Sequence, residues 1–423
     1  MSKIRIKNFG PIKEGYTEND GWMDIKKVTM FIGNQGSGKS TVAKLISTFM
    51  WMEKALHRGD YTPSYFETYD RFKKNFLTFH RIENYFKAVV NGSNNTYIEF
   101  EGSRYKFTYN EGRLTVTELQ GAYELPQVIY IPDGRNFVSS IKTFNRTNSR
   151  TYSTTSPSLA DFALTFRDAM EAMTEDLELP IRGVYIEYQK LNGVLYLKGE
   201  DYKIRIEEAA SGFQSLVPLY LVTWYLAKSL KKDSGVSGVS MPDDLEKFRK
   251  GAEAILSNSS LTEEQKRIAL SVLSTRFNKT ALINIVEEPE QNLFPTSQKE
   301  ILYSLLEFNN AMTGNMLIMT THSPYLINYL VRTIKADEVY EKISKSTNRD
   351  ELSSSLVKLV PNEARVNKND WVVYELNETD GSIIKLDNYE GLPSDYNYLN
   401  SKMAEINTTF AQILEIEDKC LTL

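Results

Sequence analysis

From Lys3 to Phe9 polar and apolar side chains alternate, a period of two that predicts a half-buried strand closed by Gly10 and Pro11. Residues 28–32, VTMFI, are instead continuously apolar, as in a strand covered on both faces. Thr41 to Leu56 carries apolar residues at helical spacing, so a glycine-rich turn here joins a buried strand to a helix. Within that helix Met50-Trp51-Met52 reads as core. The segment from Tyr97 to Leu119 is β-rich with glycine turns, residues 128–131 form a short apolar strand ended by Pro132, and helix resumes near Ser158. Strands between Gly183 and Ile206 precede a helix from about Ser211 to Lys228 and a Gly/Ser break at 234–240. Charged amphipathic helices are predicted near 243–256 and 262–275. Strand, helix, strand and helix then follow at 282–286, 297–308, 316–320 and 324–331, and the tail from Val357 holds three short strand-like runs and a final helix. This alternation predicts an α/β fold with a mixed β-sheet, crossover helices and helical insertions.

Composition narrows the class. With 423 residues, 41% apolar and 25% charged, the chain is globular, and Lys and Arg (50) against Asp and Glu (55) leave a net charge of −5 that favours neither nucleic acid nor an acidic membrane globally. The longest mostly apolar stretch, Leu216 to Leu226, contains Pro218 and is far shorter than the roughly 20 residues of a spanning helix, so no membrane partner is expected. One cysteine, Cys420, and an N-terminus without an apolar signal region point to a cytoplasmic location.

The chemistry lies in four short runs. Gly33-Asn34-Gln35-Gly36-Ser37-Gly38-Lys39-Ser40, continued by Thr41, fits a phosphate-binding loop between a buried strand and a helix. Its glycines let amides turn toward phosphate oxygens, Lys39 reaches the β and γ phosphates, and Ser40 offers an oxygen to Mg²⁺. The strand at 282–286 delivers Glu287-Glu288-Pro289, with Glu287 placed to support the metal and Glu288 to polarise a water. The strand at 316–320 ends in Thr321-His322-Ser323-Pro324, where His322, one of three histidines, can contact a γ phosphate and the attacking water. Ser211-Gly212 opens a helix, as a cap or as an anion site.

Taken in chain order, the phosphate loop, the Ser211-Gly212 helix start, the acidic strand end at Glu287-Glu288 and His322 resemble the ATP-binding cassette ATPases. The spelling EEPEQNLFP, THSPYL and ASGFQS is most similar to the soluble branch of OLD (overcoming-lysogenization-defect), RecF-like and SMC-like ATPases. The resemblance covers roughly residues 1–50 and 205–335. It implies an ABC-type P-loop ATPase domain over residues 1–335, with an inserted β and basic-loop region at about 60–205, a helical insertion at about 233–278, and a small α/β extension at 336–423. It also implies ATP and Mg²⁺ as cofactors, Glu288 and His322 as catalytic residues, and Glu287 with Ser40 at the metal. Ser211 and Gly212 would act on the nucleotide of a second subunit, so a homodimer or higher homo-oligomer is expected. Two departures stand out, Glu287 where the family has Asp and Gly212-Phe213 where it has two glycines; Gln127 is the candidate for the family's glutamine loop.

Stand-alone ATPases of this size in the branch resemble the sensor subunits of two-gene anti-phage systems, PARIS first and Septu second. That implies a toxin-antitoxin-like switch that holds and releases, or activates, a separate effector, a nuclease of the TOPRIM type, after sensing a phage protein or phage DNA. No Asp-x-Asp follows His322, so a TOPRIM site is not expected in this chain itself. The alternative is a RecF/SMC-like DNA-binding ATPase of repair. For it speak Arg71, Lys73, Lys74, Arg81 and Lys87 interleaved with Phe72, Phe76, Phe79, Tyr85 and Phe86, and a basic segment without acids after Asp133 that holds Arg135, Lys142, Arg146 and Arg150. Against it, the same aromatic spacing suits the core side of an amphipathic helix.

Overall fold

The structure is a computed structural model that describes residues 2–86, 96–140, 155–233, 250–274 and 280–421. Its centre is a seven-stranded sheet in the order β2 (Gly15–Tyr16), β16 (Ser382–Lys385), β15 (Trp371–Leu376), β4 (Val28–Gly33), β14 (Met316–Thr321), β13 (Leu282–Glu287) and β8 (Gln127–Ile131). From β15 to β8 neighbouring strands run parallel, while β16 returns antiparallel to β15, so the sheet is mixed as expected.

Alternation along these strands divides the core in two. Val28, Met30 and Ile32 face one side with Leu317, Met319, Ile129, Ile131 and Val373, whereas Phe31 faces the other with Ile318, Ile283, Ile285, Val372 and Tyr374. A strand buried on both faces has no polar positions to spare, which is why 28–32 shows no alternation in sequence. Each such side chain contributes roughly 1.5–3 kcal/mol by leaving water.

Helix α1 (Lys39–Arg58) covers the second side and is closed by Gly59 in the left-handed conformation. The first side is covered by α2 (Pro157–Glu171), α3 (Ser211–Asp233), α5 (Pro295–Asn310) and α6 (Pro324–Ile343), with α4 (Glu263–Ser274) packed on α2. A five-stranded antiparallel sheet, β3 (Met23–Asp24), β1 (Lys3–Lys7), β5 (Tyr97–Glu101), β6 (Tyr105–Asn110) and β7 (Arg113–Glu118), lies against α1. A second antiparallel sheet, β12 (Lys203–Arg205), β11 (Val194–Lys198), β10 (Tyr185–Gln189) and β9 (Leu177–Glu178), leads into α3.

The tail supplies β15 to the middle of the main sheet, directly beside β4, and places α7 (Arg349–Leu359) against α6. The last helix, α8 (Tyr398–Leu421), is exposed over residues 401–420 and carries Met403, Ile406, Phe410, Ile413 and Ile416 in the open. Among the described residues no helix is long and apolar enough to cross a membrane.

Candidate functional site

Because β15, β4, β14, β13 and β8 are parallel and in register, their C-terminal ends lie on one edge of the sheet. That edge collects Gly33, Thr321, Glu287 and Pro132, and the loops that follow them build the site.

The loop after β4 turns through Gly33, Gly36 and Gly38, all at positive φ (138°, 76° and 103°). Gly33 also packs against the tail, since a Cβ there would lie 2.3 Å from the carbonyl oxygen of Leu376. Asn34, Gln35 and Gly36 are exposed, whereas Ser37, Gly38 and Lys39 are buried; Ser40 and Thr41 sit in the first turn of α1. Asn34 donates to Glu378 (2.9 Å), so the β15–β16 hairpin forms one wall. The Lys39 ammonium folds back onto the carbonyls of Gly33 (2.9 Å) and Asn34 (2.7 Å) and onto His322 Nδ1 (3.3 Å). Burial pushes this ammonium down to about 8, although Glu288, Glu290, Glu378 and Glu287 oppose the shift.

His322 links the lysine to the acid. Lys39 can only donate, so Nδ1 accepts from it, and Nε2–H is left to donate to Glu288 Oε1 at 3.0 Å. That hydrogen bond, aided by Lys39 and Arg135 against the cost of burial, holds the Glu288 carboxyl below the usual carboxylate range, ionised and able to accept a proton. Glu288 itself has φ 44°, a left-handed backbone that a glutamate rarely adopts. Its N–H donates to Thr320 O at 2.9 Å.

Glu287 is buried (1% exposed). Its Oε2 accepts from the Asp133 N–H at 3.3 Å, and its Oε1 has no hydrogen-bond partner but lies 3.9 Å from Lys44 Nζ. Lys44 stands one turn after Ser40 on the same face of α1. The Glu287 carboxylate, which the buried Tyr130 hydroxyl also approaches, and the Ser40 hydroxyl are oxygen donors of the kind that suit Mg²⁺. Among the described residues no group of three or more His, Cys, Asp or Glu could hold a metal, so a cation here would also need phosphate oxygens.

Ser211 and Gly212 open α3, with Ser211 exposed. Gly212 abuts the Glu288-to-Pro295 loop closely enough that a Cβ would lie 2.9 Å from Asn292 O, and Asn292 Nδ2 donates to Ser215 Oγ at 3.1 Å. Lys39, His322, Glu288 and Glu287 thus converge within one chain, while Ser211 is exposed.

Two residues at this site escaped the reading of the sequence. Glu290 is half-buried, and its Oε1 accepts from Thr321 Oγ1 (2.7 Å) and the His322 N–H (2.8 Å), fixing the turn that presents the imidazole; desolvation raises its carboxyl. The third acid in EEPE was the only available signal. Arg135, expected as part of a basic loop, is fully buried and binds the main chain beneath the acid pair. Its charge serves the interior because four carbonyl oxygens compensate it there.

Gln127 is misplaced for a glutamine loop. It opens β8 in register with Leu282, at the end of the sheet opposite the phosphate loop and about 15 Å away along the strand, where its Oε1 accepts from Lys54 at 3.4 Å. The basic and aromatic run resolves as core: Phe72, Phe76 and Phe79 are buried, Arg71 lies over Tyr65 and Lys73 over Phe86. Those three rings offer no face on which bases could stack. Lys87, Lys142, Arg146 and Arg150 lie outside the described residues.

Residues 28–328 match the family model described as "AAA domain, putative AbiEii toxin, Type IV TA system". No curated protein matches the chain. Among solved structures, the SMC head domain from Thermotoga maritima is similar at 11% identity, with 91% of this chain and 98% of that one covered and a TM-score of 0.37. A Pyrococcus furiosus Smc head domain with an extended coiled coil, bound to the C-terminal domain of ScpA, matches at 9% identity, 92% and 97% coverage and a TM-score of 0.39. An ATP-binding cassette in a dimeric post-hydrolysis state with ADP and Pi matches at 9% identity, 92% and 100% coverage and a TM-score of 0.28.

Proposed function

The chain belongs to this family of AAA domains, an ATPase family, and from that premise we propose that it is an ATP-driven switch whose composite site closes between two subunits and whose output is taken by a separate effector protein. The observation that carries the reading is the chain of contacts from Lys39 through His322 to Glu288, which joins the phosphate-binding lysine to a base held ionised by the same imidazole.

In the chemistry this supports, the amides of residues 33–39 and the dipole of α1 receive the phosphates. Lys39 exchanges two neutral carbonyls for charged phosphate oxygens, a stronger pairing in a buried site. Glu288 takes a proton from the attacking water, and His322 Nε2–H keeps its carboxylate oriented. Ser40 and Glu287 would hold Mg²⁺, which supplies charge neutralisation on the phosphates when bound. Because His322 Nδ1 also touches Lys39, departure of the lysine toward a phosphate alters the partner of the imidazole that orients the base. Ser211, exposed at the helix start, is free to meet the nucleotide of a second protomer.

The ammonium of Lys39 makes binding depend on pH. Its depressed value means that the charged form, which binds phosphate, is lost as pH rises through about 8, and a bound phosphate would restore it. ATP affinity at constant ionic strength is therefore expected to be flat from roughly pH 6.5 to 7.5 and to weaken by up to about tenfold per unit above 8.5. A fluorescent ATP analogue titrated against wild type and Lys39→Met checks this; wild-type affinity no tighter than that of Lys39→Met at pH 7 would remove Lys39 from the phosphates.

As to biological role, we assign the switch to defence against phage, with a nuclease as effector and a phage protein or DNA as trigger. Support comes from the resemblance of its motifs to two-gene systems and from a family description that names the AbiEii toxin and a Type IV TA system. The experiment is particle mass with ATP and Mg²⁺ for wild type and Glu288→Gln, alone and with the product of the adjacent gene. A larger Glu288→Gln particle that retains the neighbour's protein is expected. A monomer indifferent to ATP and to that protein rules the reading out.

A further inference from the structure

Arg135 lies in a 3₁₀ segment, residues 133–140, that follows β8, and its guanidinium is fully buried. Its donors go to main-chain carbonyls on three separate parts of the chain: Nε to Ser215 O in α3 (3.1 Å), Nη1 to Pro132 O (3.2 Å) and Glu287 O (2.6 Å), and Nη2 to Glu288 O (2.5 Å). None of these partners is a carboxylate, so the side chain is not one half of an ordinary ion pair. A buried charge is costly unless its donors are satisfied, and only a planar fork of several N–H groups can span three elements at once.

What it grips is informative. Ser215 lies one turn after Ser211-Gly212, and it is held a second time by Asn292. Glu288 has the left-handed backbone noted above, a conformation that persists only where surroundings over-determine it. That peptide is fixed on one side by Thr320 O and on the other by Arg135, and this is the backbone that aims the carboxylate at His322.

We propose that Arg135 is a positioning residue that couples the first turn of α3 to the carboxylate of Glu288 in the same protomer. This rests on the composite-site reading: when Ser211 and Gly212 engage the nucleotide held by a second subunit, the shift of α3 reaches Glu288 through Arg135. The base of one site is then set by occupancy of the other, and hydrolysis is cooperative in ATP.

The test uses the full chain with Arg135→Lys and Arg135→Ala, reading thermal melting, ATP affinity, ATP-dependent mass, kcat and the Hill coefficient. Arg135→Lys keeps the charge and loses the fork. It is expected to fold, bind ATP and enlarge with ATP like wild type, while kcat drops by about 10²-fold, as a displaced reacting group would cost, and the Hill coefficient falls to one. In Arg135→Ala, free guanidinium at millimolar concentration should restore part of kcat and methylammonium should not; if this variant does not fold, Arg135→Lys decides alone. Unchanged kcat and cooperativity in folded Arg135→Lys overturn the proposal, as does parallel loss of ATP affinity, mass change and kcat. Failure of the composite site reads differently: wild type then shows no ATP-dependent assembly and Ser211→Arg keeps full kcat, which overturns the coupling between subunits whatever Arg135→Lys does.

Discussion

Glu288→Gln is expected to lower kcat for ATP hydrolysis by about 10²–10⁴-fold, the usual contribution of a positioned general base, while ATP still binds. The substitution removes the negative charge that receives the proton and keeps a side-chain oxygen for the His322 Nε2–H bond, now 3.0 Å long. Lys39, its two carbonyl partners and the backbone turn at Glu288 stay as they are. The nucleotide therefore remains in place and the closed assembly persists longer than in wild type. Single-turnover hydrolysis with a radiolabelled γ phosphate, together with filter binding, separates the two effects. A Glu288→Gln protein that hydrolyses ATP at the wild-type rate would assign the base to another residue, first Glu290, whose Oε1 is committed to Thr321 and the His322 amide but whose Oε2 accepts no hydrogen bond.

The second large effect tests whether the site belongs to one chain or two. Ser211→Arg places a bulky cation at an exposed helix start and should leave the protomer folded, yet abolish hydrolysis if Ser211 serves a second subunit. Lys39→Ala removes the lysine proposed to bind phosphate in the other half of the composite site. Each variant alone is expected to be inactive. Mixed in equal amounts, half the dimers pair one of each, and every such pair has one intact site of two, so activity should return to about a quarter of wild type in a symmetric dimer with independent sites. The coupling proposed through Arg135 would bring the recovered activity below that figure. A mixture that stays inactive, with both variants folded and able to exchange subunits, means that Ser211 and Lys39 do not meet across an interface.

Much of the site was legible because it is written locally. A phosphate loop needs its glycines within eight residues and a strand and a helix on either side, and residues 28–58 supply them in order. Glu287-Glu288 and His322 could be singled out since each ends an apolar strand, and parallel pairing then brings strand ends together on one edge of the sheet. Apolar periodicity foretold α1, α3, β13 and β14 to within a few residues for the same reason: it records which faces must leave water.

What periodicity does not encode is strand order. Gln127 is only a candidate for the glutamine loop from its place before a strand, and the direction of β8 puts it at the far end; nothing in residues 127–131 states which end will lie by the loop after β4. Likewise β15 is an apolar run in the tail, and only pairing with β4, more than 330 residues earlier in the chain, brings Glu378 to Asn34. Arg135 shows the same limit in electrostatics. In sequence it is one basic residue in a stretch without acids; in the fold its partners are carbonyls of residues 132, 215, 287 and 288. Main-chain acceptors are identical at every position and leave no mark in the amino-acid alphabet. The sequence by itself determined the elements, the phosphate loop and the acid pair, because these depend on neighbours within a few turns. Tertiary structure alone decided which strand ends meet, which charges are buried and how α3 is tied to Glu288, because those depend on contacts between residues far apart in the chain.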